Sequence, residues 1–192
     1  KKIHEDQCYL AMHKPNGDFI RILIHVDDSV IAQRGDDLFK WYQDKLGERF
    51  EFVLNPLKRC LGIDYEIDYE NSIITMNQYD HVVKMLRAFN MQDCKAESHP
   101  MPRNVTLSEA TVPTDPDEID KYKKQFNMER ALGYFNWIAG GTRPDICLAL
   151  KHLSRFAKAY GPEHIASAKH LMRYLKGTAR KCLIYRAGME PR

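Results

Sequence analysis

"LIHVDDSVIA", residues 23–32, sets two adjacent carboxylates, Asp27 and Asp28, inside an otherwise apolar run. Neighbouring residues on a strand point to opposite faces, so an unbroken strand would bury one of these charges without a partner. A tight hairpin with the pair at its tip removes the conflict. The flanking segments agree with it. FIRILIH (19–25) alternates apolar and polar residues and then turns continuously apolar, and SVIA (29–32) resumes the β pattern. Upstream, CYLAMHK (8–14) reads as a strand, and Pro15-Asn16-Gly17 as a turn, because Asn-Gly tolerates positive φ. A carboxylate pair held at a rigid tip suits a hard divalent cation, since Mg²⁺ takes oxygen ligands and binds through one or two carboxylates plus substrate phosphates. By itself the dipeptide is better explained as an ordinary Asp-containing turn.

Further along, Gly35 to Phe50 reads as an amphipathic helix with Leu38, Trp41, Tyr42, Lys45 and Leu46 on helical spacing. RCLGIDYEID (59–68) and SIITM (72–76) form a second hairpin around Tyr69-Glu70-Asn71. A helix over Asn77 to Asn90 follows, with Val82, Val83, Leu86 and Phe89 as its apolar face. Residues 92–118 hold four prolines and few large apolar residues, which reads as a long loop or linker. From about Ile119 onward the pattern is helical, with Pro144 and Pro162 one step inside helix starts. Trp41 and Trp137 are expected in the core, Tyr160 and Tyr174 in core or rim packing in preference to stacking on bases, and Gly140-Gly141 as a helix stop.

A hydrophobic content of 44% over 192 residues is ample for a core. No apolar stretch approaches the length of a membrane span, so no membrane partner is expected. Five scattered cysteines without a CxxC pair indicate a reduced intracellular chain, cytoplasmic or nuclear, and neither a disulfide framework nor a zinc site. The Asn104-Val105-Thr106 sequon is not expected to be used in such a chain. Charge is segregated. Residues 1–120 carry 14 basic and 22 acidic residues, a net of −8, and residues 121–192 carry 15 and 4, a net of +11. Such a balance points to a polyanionic partner for the C-terminal part. There, Ile146, Leu150, Leu153 and Phe156 form one apolar stripe, and Ile165, Ala168, Met172 and Leu175 another. Lys151, Arg155 and Lys158 repeat at i, i+4 and i+7, and so do Lys169, Arg173 and Lys176. Each row could follow a phosphate backbone or be a solvated helix face.

Several blocks together carry a family resemblance. HVDDSVIA resembles the catalytic hairpin of reverse transcriptases, usually Tyr-Val-Asp-Asp followed by apolar residues. EDQCYLA (5–11) resembles the Asp-x-Cys-x-Tyr segment that precedes it in the Ty1/copia class of retrotransposon polyproteins. LKRCLGIDYE (57–66) resembles that class's primer-gripping Leu-Lys-x-Phe-Leu-Gly-Ile-Glu segment, and MNQYDHVVKMLRAFNMQDCK (76–95) its Ser-Gln-x-Tyr helix. The most distinctive stretches are ALGYFNWIAGGTRPDICLALKHLSRF (131–156) and HIASAKHLMRYLKGT (164–178).

The resemblance implies an α+β chain. Residues 1–75 would be a partial reverse-transcriptase palm of antiparallel hairpins with packed helices. Residues 76–192 would be a mainly helical thumb- or connection-like region with a Pro-rich linker at about 92–118. It implies Asp27 and Asp28 as catalytic carboxylates holding Mg²⁺ or Mn²⁺, His25 and Val26 beside nucleotide and primer, and Cys60, Leu61 and Gly62 in a primer grip. The partner would be an RNA/DNA primer–template gripped by Lys151, Arg155, Lys158, Lys169, Arg173 and Lys176. His25 stands where the class has Tyr, and Cys60 where it has Phe. The further aspartate that completes such a site lies upstream in the class and has no match here, so the isolated chain is expected to be an incomplete, inactive polymerase. It would need the missing N-terminal half, or would self-associate. The alternative is a nucleic-acid-binding remnant, or a host-adopted interaction protein without catalysis.

Overall fold

Gly17 adopts φ +88° and the Asn16 side chain accepts from the Asp18 amide, so Pro15-Asn16-Gly17 reverses the chain as its residue types dictate. The structure, a computed structural model, describes residues 2–3, 6–102 and 107–188, and the Asn104 sequon lies outside them. Two compact units divide the chain, Lys1–Cys60 and Leu61–Arg192.

The first unit is an antiparallel sheet in the order β1 (Lys2–Ile3), β2 (Asp6–His13), β3 (Phe19–His25), β4 (Asp28–Arg34), followed by helix α1 (Asp36–Gly47) and a two-residue strand β5 (Arg59–Cys60). Leu10, Ile22 and Ile31 are aligned across β2, β3 and β4 and share a face with Ile20. Leu38 of α1 packs on that face, with Phe39 and Tyr42 beside it. The expected helix is present, but it closes its core through Leu38 and not through Trp41, which is 45% exposed.

The second unit begins with β6 (Ile63–Asp68) and β7 (Ile73–Asn77), and β7 pairs on its other side with β8 (Leu183–Arg186). The division after Cys60, where the sequence put it near residue 75, follows from that pairing: β8 ties the second hairpin to the C-terminal helices. β8 itself corrects the expectation of helix throughout the C-terminal part. Helices α2 (Tyr79–Ala88), α3 (Pro116–Gln125), α4 (Met128–Gly141), α5 (Cys147–Ser154) and α6 (Pro162–Gly177) enclose one core that runs from Val82 to Leu175. The two apolar stripes of α5 and α6 are buried as their spacing requires, and so are Tyr160 and Tyr174. Trp137 is 46% exposed and corrects its assignment to the core.

Arg143, at 3% exposure, is the most costly residue to bury in this unit. Every polar end of it is met. Nε and Nη2 donate to the two Asp145 oxygens at 2.9 and 2.8 Å, Nη1 donates to the Thr178 carbonyl at 2.9 Å, and Nη2 also reaches the Thr178 hydroxyl at 2.7 Å. The Tyr174 hydroxyl donates to Asp145 at 2.5 Å. Thr178 caps the C-terminus of α6, and its carbonyl accepts from both the guanidinium and the Lys181 amide. Burial pushes the Asp145 carboxyl up, but the hydrogen bonds from Arg143 and Tyr174 outweigh it and hold it below the usual range. Next to this node, Gln78 is buried between α2 and α4: it donates to the Trp137 carbonyl and accepts from Thr142. A Cβ on Gly141 would overlap the Gln78 amide, so the close approach calls for glycine there; α4 ends at Gly141 with Thr142 as its cap and no left-handed glycine.

His164 is fully buried in α6. Its Nδ1 accepts from the Gly161 amide at 3.2 Å, its ring lies 4.1 Å from Phe156, and its buried Nε2 has no hydrogen-bond partner among the described residues. Burial pushes its pKa down, against the pull of Glu163 and the Ser108 backbone. His81, beside Tyr134 and Trp137, is pushed down by burial and by Lys84.

Two outcomes are expected. In Arg143→Lys, one ammonium cannot serve the two Asp145 oxygens and the two Thr178 acceptors together. Urea unfolding should show a loss of about 2–4 kcal/mol, below the value for a fully enclosed pair because Asp145 reaches water; a loss under about 0.5 kcal/mol would contradict the node. For pH, the unfolded histidines take up protons below about pH 6.5 while the folded ones resist. Stability is therefore full above that value, falls as the pH drops through it, and levels off below the depressed folded pKa. His164→Asn keeps an acceptor for Gly161 and should flatten the fall in the urea midpoint between about pH 7 and pH 5; an unchanged slope would contradict the assignment.

Candidate metal and nucleic-acid site

The β3–β4 register runs Ile22↔Ile31, Leu23↔Val30, Ile24↔Ser29 and His25↔Asp28, which leaves only Val26 and Asp27 in the loop. Of these two, Val26 alone has positive φ, at +55°. Positive φ at the first central residue is the type II′ hairpin pattern, whose twist matches the flanking strands and whose usual occupant is glycine. A β-branched residue there is an outlier that costs about 1–2 kcal/mol. Such strain persists only where the surroundings over-determine it, and it gathers at functional sites. Here the five-pair ladder to β2 and the seven-pair ladder to β4 hold β3 on both sides.

The tip is thus a rigid, solvent-facing projection. His25, Val26, Asp27 and Asp28 are all exposed, and Val26 reaches 86%. The burial conflict of a continuous strand is resolved by exposing both carboxylates, and His25 and Asp28 share one face as a cross-strand pair. Neither aspartate is taken up by an ion pair among the described residues. Among those residues no group of three or more His, Cys, Asp or Glu side chains converges. Cys60 lies within electrostatic reach: burial pushes its thiol up, and the Asp28 carboxylate adds to the rise. The structure thereby brings one residue of the expected primer-grip stretch toward the acidic pair. Leu61 and Gly62, in the second unit, take successive left-handed conformations at φ +50° and +73°.

The six basic residues do not form two equivalent rows. α5 ends at Ser154, so Arg155 is its cap and Lys158 lies beyond it; only Lys151 stands within the helix. All three are exposed, and Arg155 lies 3.8 Å from Glu109 and over the Phe156 ring. Lys169, Arg173 and Lys176 do sit on one helix, but they are half-buried. Lys169 lies 6.0 Å from the Phe126 ring centre, and Lys176 Nζ donates to the Cys94 carbonyl at 2.5 Å. For Arg173 and Lys176 the reason is the 92–118 segment. It does not act as a free linker but is hydrogen-bonded to α6 through Cys94, Glu97 and His99, and it places Leu107 in the core. It is also acidic, so part of the charge contrast seen along the sequence is matched within the second unit.

The residues that sequence reasoning left without a role are Gln78, Thr142, Arg143, Asp145 and Thr178. They lie in the Asn-Gln-Tyr, Gly-Gly-Thr-Arg-Pro-Asp and Arg-Tyr-Leu-Lys-Gly-Thr blocks, and the fold joins them, with Tyr174, in a set of buried and partly buried polar contacts. The available signal was an Arg-x-Asp pair set between two apolar helices.

No protein-family model and no solved structure matches the chain. Curated relatives do. The Retrovirus-related Pol polyprotein from transposon TNT 1-94 of Nicotiana tabacum is 29% identical over 191 residues, covering 99% of this chain and 14% of the polyprotein. The chain's homologues are Pol polyproteins of Ty1/copia-type retrotransposons. The putative transposon Ty5-1 protein of Saccharomyces cerevisiae is 26% identical over 97% of this chain and 58% of its own length. The Pol polyprotein from transposon RE1 of Arabidopsis thaliana is 28% identical over 88% of this chain and 11% of its own length. The chain spans only part of the curated relatives it matches. Among the described residues no helix is long and apolar enough to cross a membrane.

The strain at the tip is directly measurable. Val26→Gly removes an unfavourable φ at the price of backbone entropy, so urea unfolding of the full chain should show a gain of up to about 1 kcal/mol. A loss of that size would show that Val26 is not strained.

Proposed function

We propose that this chain is the part of a retrotransposon reverse transcriptase that carries the catalytic hairpin and the helices after it. The observation that carries the reading is the strained two-residue tip, which holds Asp27 and Asp28 rigid and exposed. It stands within a chain that aligns over 99% of its length with 14% of a Pol polyprotein.

The donor set fits a hard cation. Carboxylates accept without donating, and both remain open to solvent beside a thiol and an imidazole that are not hard ligands. Asp27 and Asp28 would hold Mg²⁺ or Mn²⁺, an ion that supplies charge neutralisation during displacement at phosphorus. The chain's own residues do the rest. β3 and β4 fix the direction of the pair. His25 and Val26 flank it and would meet nucleotide and primer end. Cys60, Leu61 and Gly62 would support the primer strand, with the left-handed turn at Leu61 and Gly62 presenting backbone amides. Lys151, Arg155 and Lys158 form the accessible cationic contribution to an RNA–DNA partner, and Lys169, Arg173 and Lys176 the partly covered one. No third acidic ligand joins the pair among the described residues, so nucleotidyl transfer would require residues supplied by further polypeptide, and this chain alone would bind without extending.

Mn²⁺ tests the site apart from catalysis. Added to the isotope-labelled chain, it should broaden the amide resonances of residues 25–30 first, and Asp27→Asn with Asp28→Asn should abolish that selectivity. Broadening that is uniform over the surface acidic residues, or unaffected by the double substitution, would refute the metal assignment.

A further inference from the structure

α6 is long enough to follow a phosphate backbone along Lys169, Arg173 and Lys176, with His170 beside them, but its two ends are in different states. Toward the N-terminus, Lys169 and Arg173 line an open groove of about 270 Å³ with Gln125, Pro162 and Ile165. Toward the C-terminus, residues 94–99 cross the helix. Lys176 Nζ donates to the Cys94 carbonyl at 2.5 Å, His170 Nε2 donates to the His99 carbonyl at 3.0 Å, and the Glu97 amide donates to the Arg173 carbonyl at 3.3 Å. The crossing is close: a Cβ on Gly177 would lie 3.0 Å from the Ala96 Cβ and 3.2 Å from the Glu97 carbonyl oxygen.

The two donors that this segment occupies on α6 are an ammonium and an imidazole N–H, and it meets them with neutral carbonyl oxygens. A phosphate oxygen is the stronger acceptor for both, because charge-assisted hydrogen bonds exceed neutral ones. We propose that residues 94–99 are a displaceable strap on a phosphate-backbone surface of α6. A nucleic acid that engages Lys169 and Arg173 in the open groove displaces the strap from Lys176 and His170 and takes their hydrogen bonds. This rests on the nucleic-acid reading above and adds an internal competitor to it. A short anion that fills only the groove leaves the strap in place, so the surface favours a partner long enough to reach Lys176.

A disulfide can hold the strap down. The Ala96–Gly177 approach is about half an ångström short of the lower end of disulfide Cβ spacing, a gap that a small backbone shift closes, so Ala96→Cys with Gly177→Cys in the full chain gives a strap that is locked when oxidised and free when reduced. Fluorescence anisotropy with a labelled RNA–DNA hybrid duplex over a salt series compares the two forms, with the unaltered chain under both redox conditions as control. The free form should bind several-fold more tightly, with a salt slope steeper by about one, the contribution of one recovered lysine–phosphate contact. Equal binding and slope would overturn the strap while leaving the nucleic-acid reading intact. Binding by neither form, and none by the control, would overturn both. In the unaltered chain, saturating duplex should speed hydrogen exchange of the Glu97 amide, and an unchanged or slower rate there would overturn displacement whatever the disulfide variant does.

Discussion

A buried guanidinium has no neutral form to retreat to, so the fold around Arg143 must supply acceptors or fail. That one requirement fixes a large part of the second unit. Asp145 must stand two residues away on the short turn before α5. α6 must end at Thr178 with its carbonyl turned inward. Tyr174 must be placed one turn earlier to share Asp145. Gln78 and Gly141 extend the same constraint to α2 and α4, where contact is so close that no side chain fits at Gly141. The blocks that give the chain its family resemblance are, in this region, the residues that anchor helices to one another. Their role is to set a frame, and no reacting atom need touch them.

The first unit meets a different constraint, the placing of two like charges. Its solution is local: the ladders on both sides of β3 leave two residues for the reversal and force Val26 into a conformation suited to glycine. The cost falls on the backbone, and the carboxylates are left exposed with their direction set by the sheet. A floppy acidic loop would avoid the strain and lose the direction, which is the property a metal site needs.

What was legible in the sequence was what short-range periodicity determines. The two hairpins, the turn at Asn16-Gly17 and the buried faces of α5 and α6 follow from alternation and 3.6-residue spacing, and they stand where expected. What was not legible depended on distant partners. β8 is four residues long and exists because β7 offers an edge. Trp41 and Trp137 carry large apolar rings, yet Leu38 and Phe135 fill the cores beside them. The even spacing of Lys151, Arg155 and Lys158 ignores that α5 stops at Ser154, and the net charge of the C-terminal part ignores the acidic segment bound across it. The strain at Val26 is set by register, which no single residue type reveals. Asp27 and Asp28 stand out because two charges in an apolar run violate a local rule, and the hairpin that exposes them was legible for the same reason.

The proposed function requires that the chain carry a surface for primer–template. The most direct measurement is the affinity for a labelled RNA–DNA primer–template across a salt series. The unaltered chain is compared with a variant in which Lys151, Arg155, Lys158, Lys169, Arg173 and Lys176 are all Glu and whose fold is verified by circular dichroism. The account predicts binding that weakens steeply with salt and disappears in the variant. No binding at low salt, or binding that the six substitutions leave intact, would contradict it.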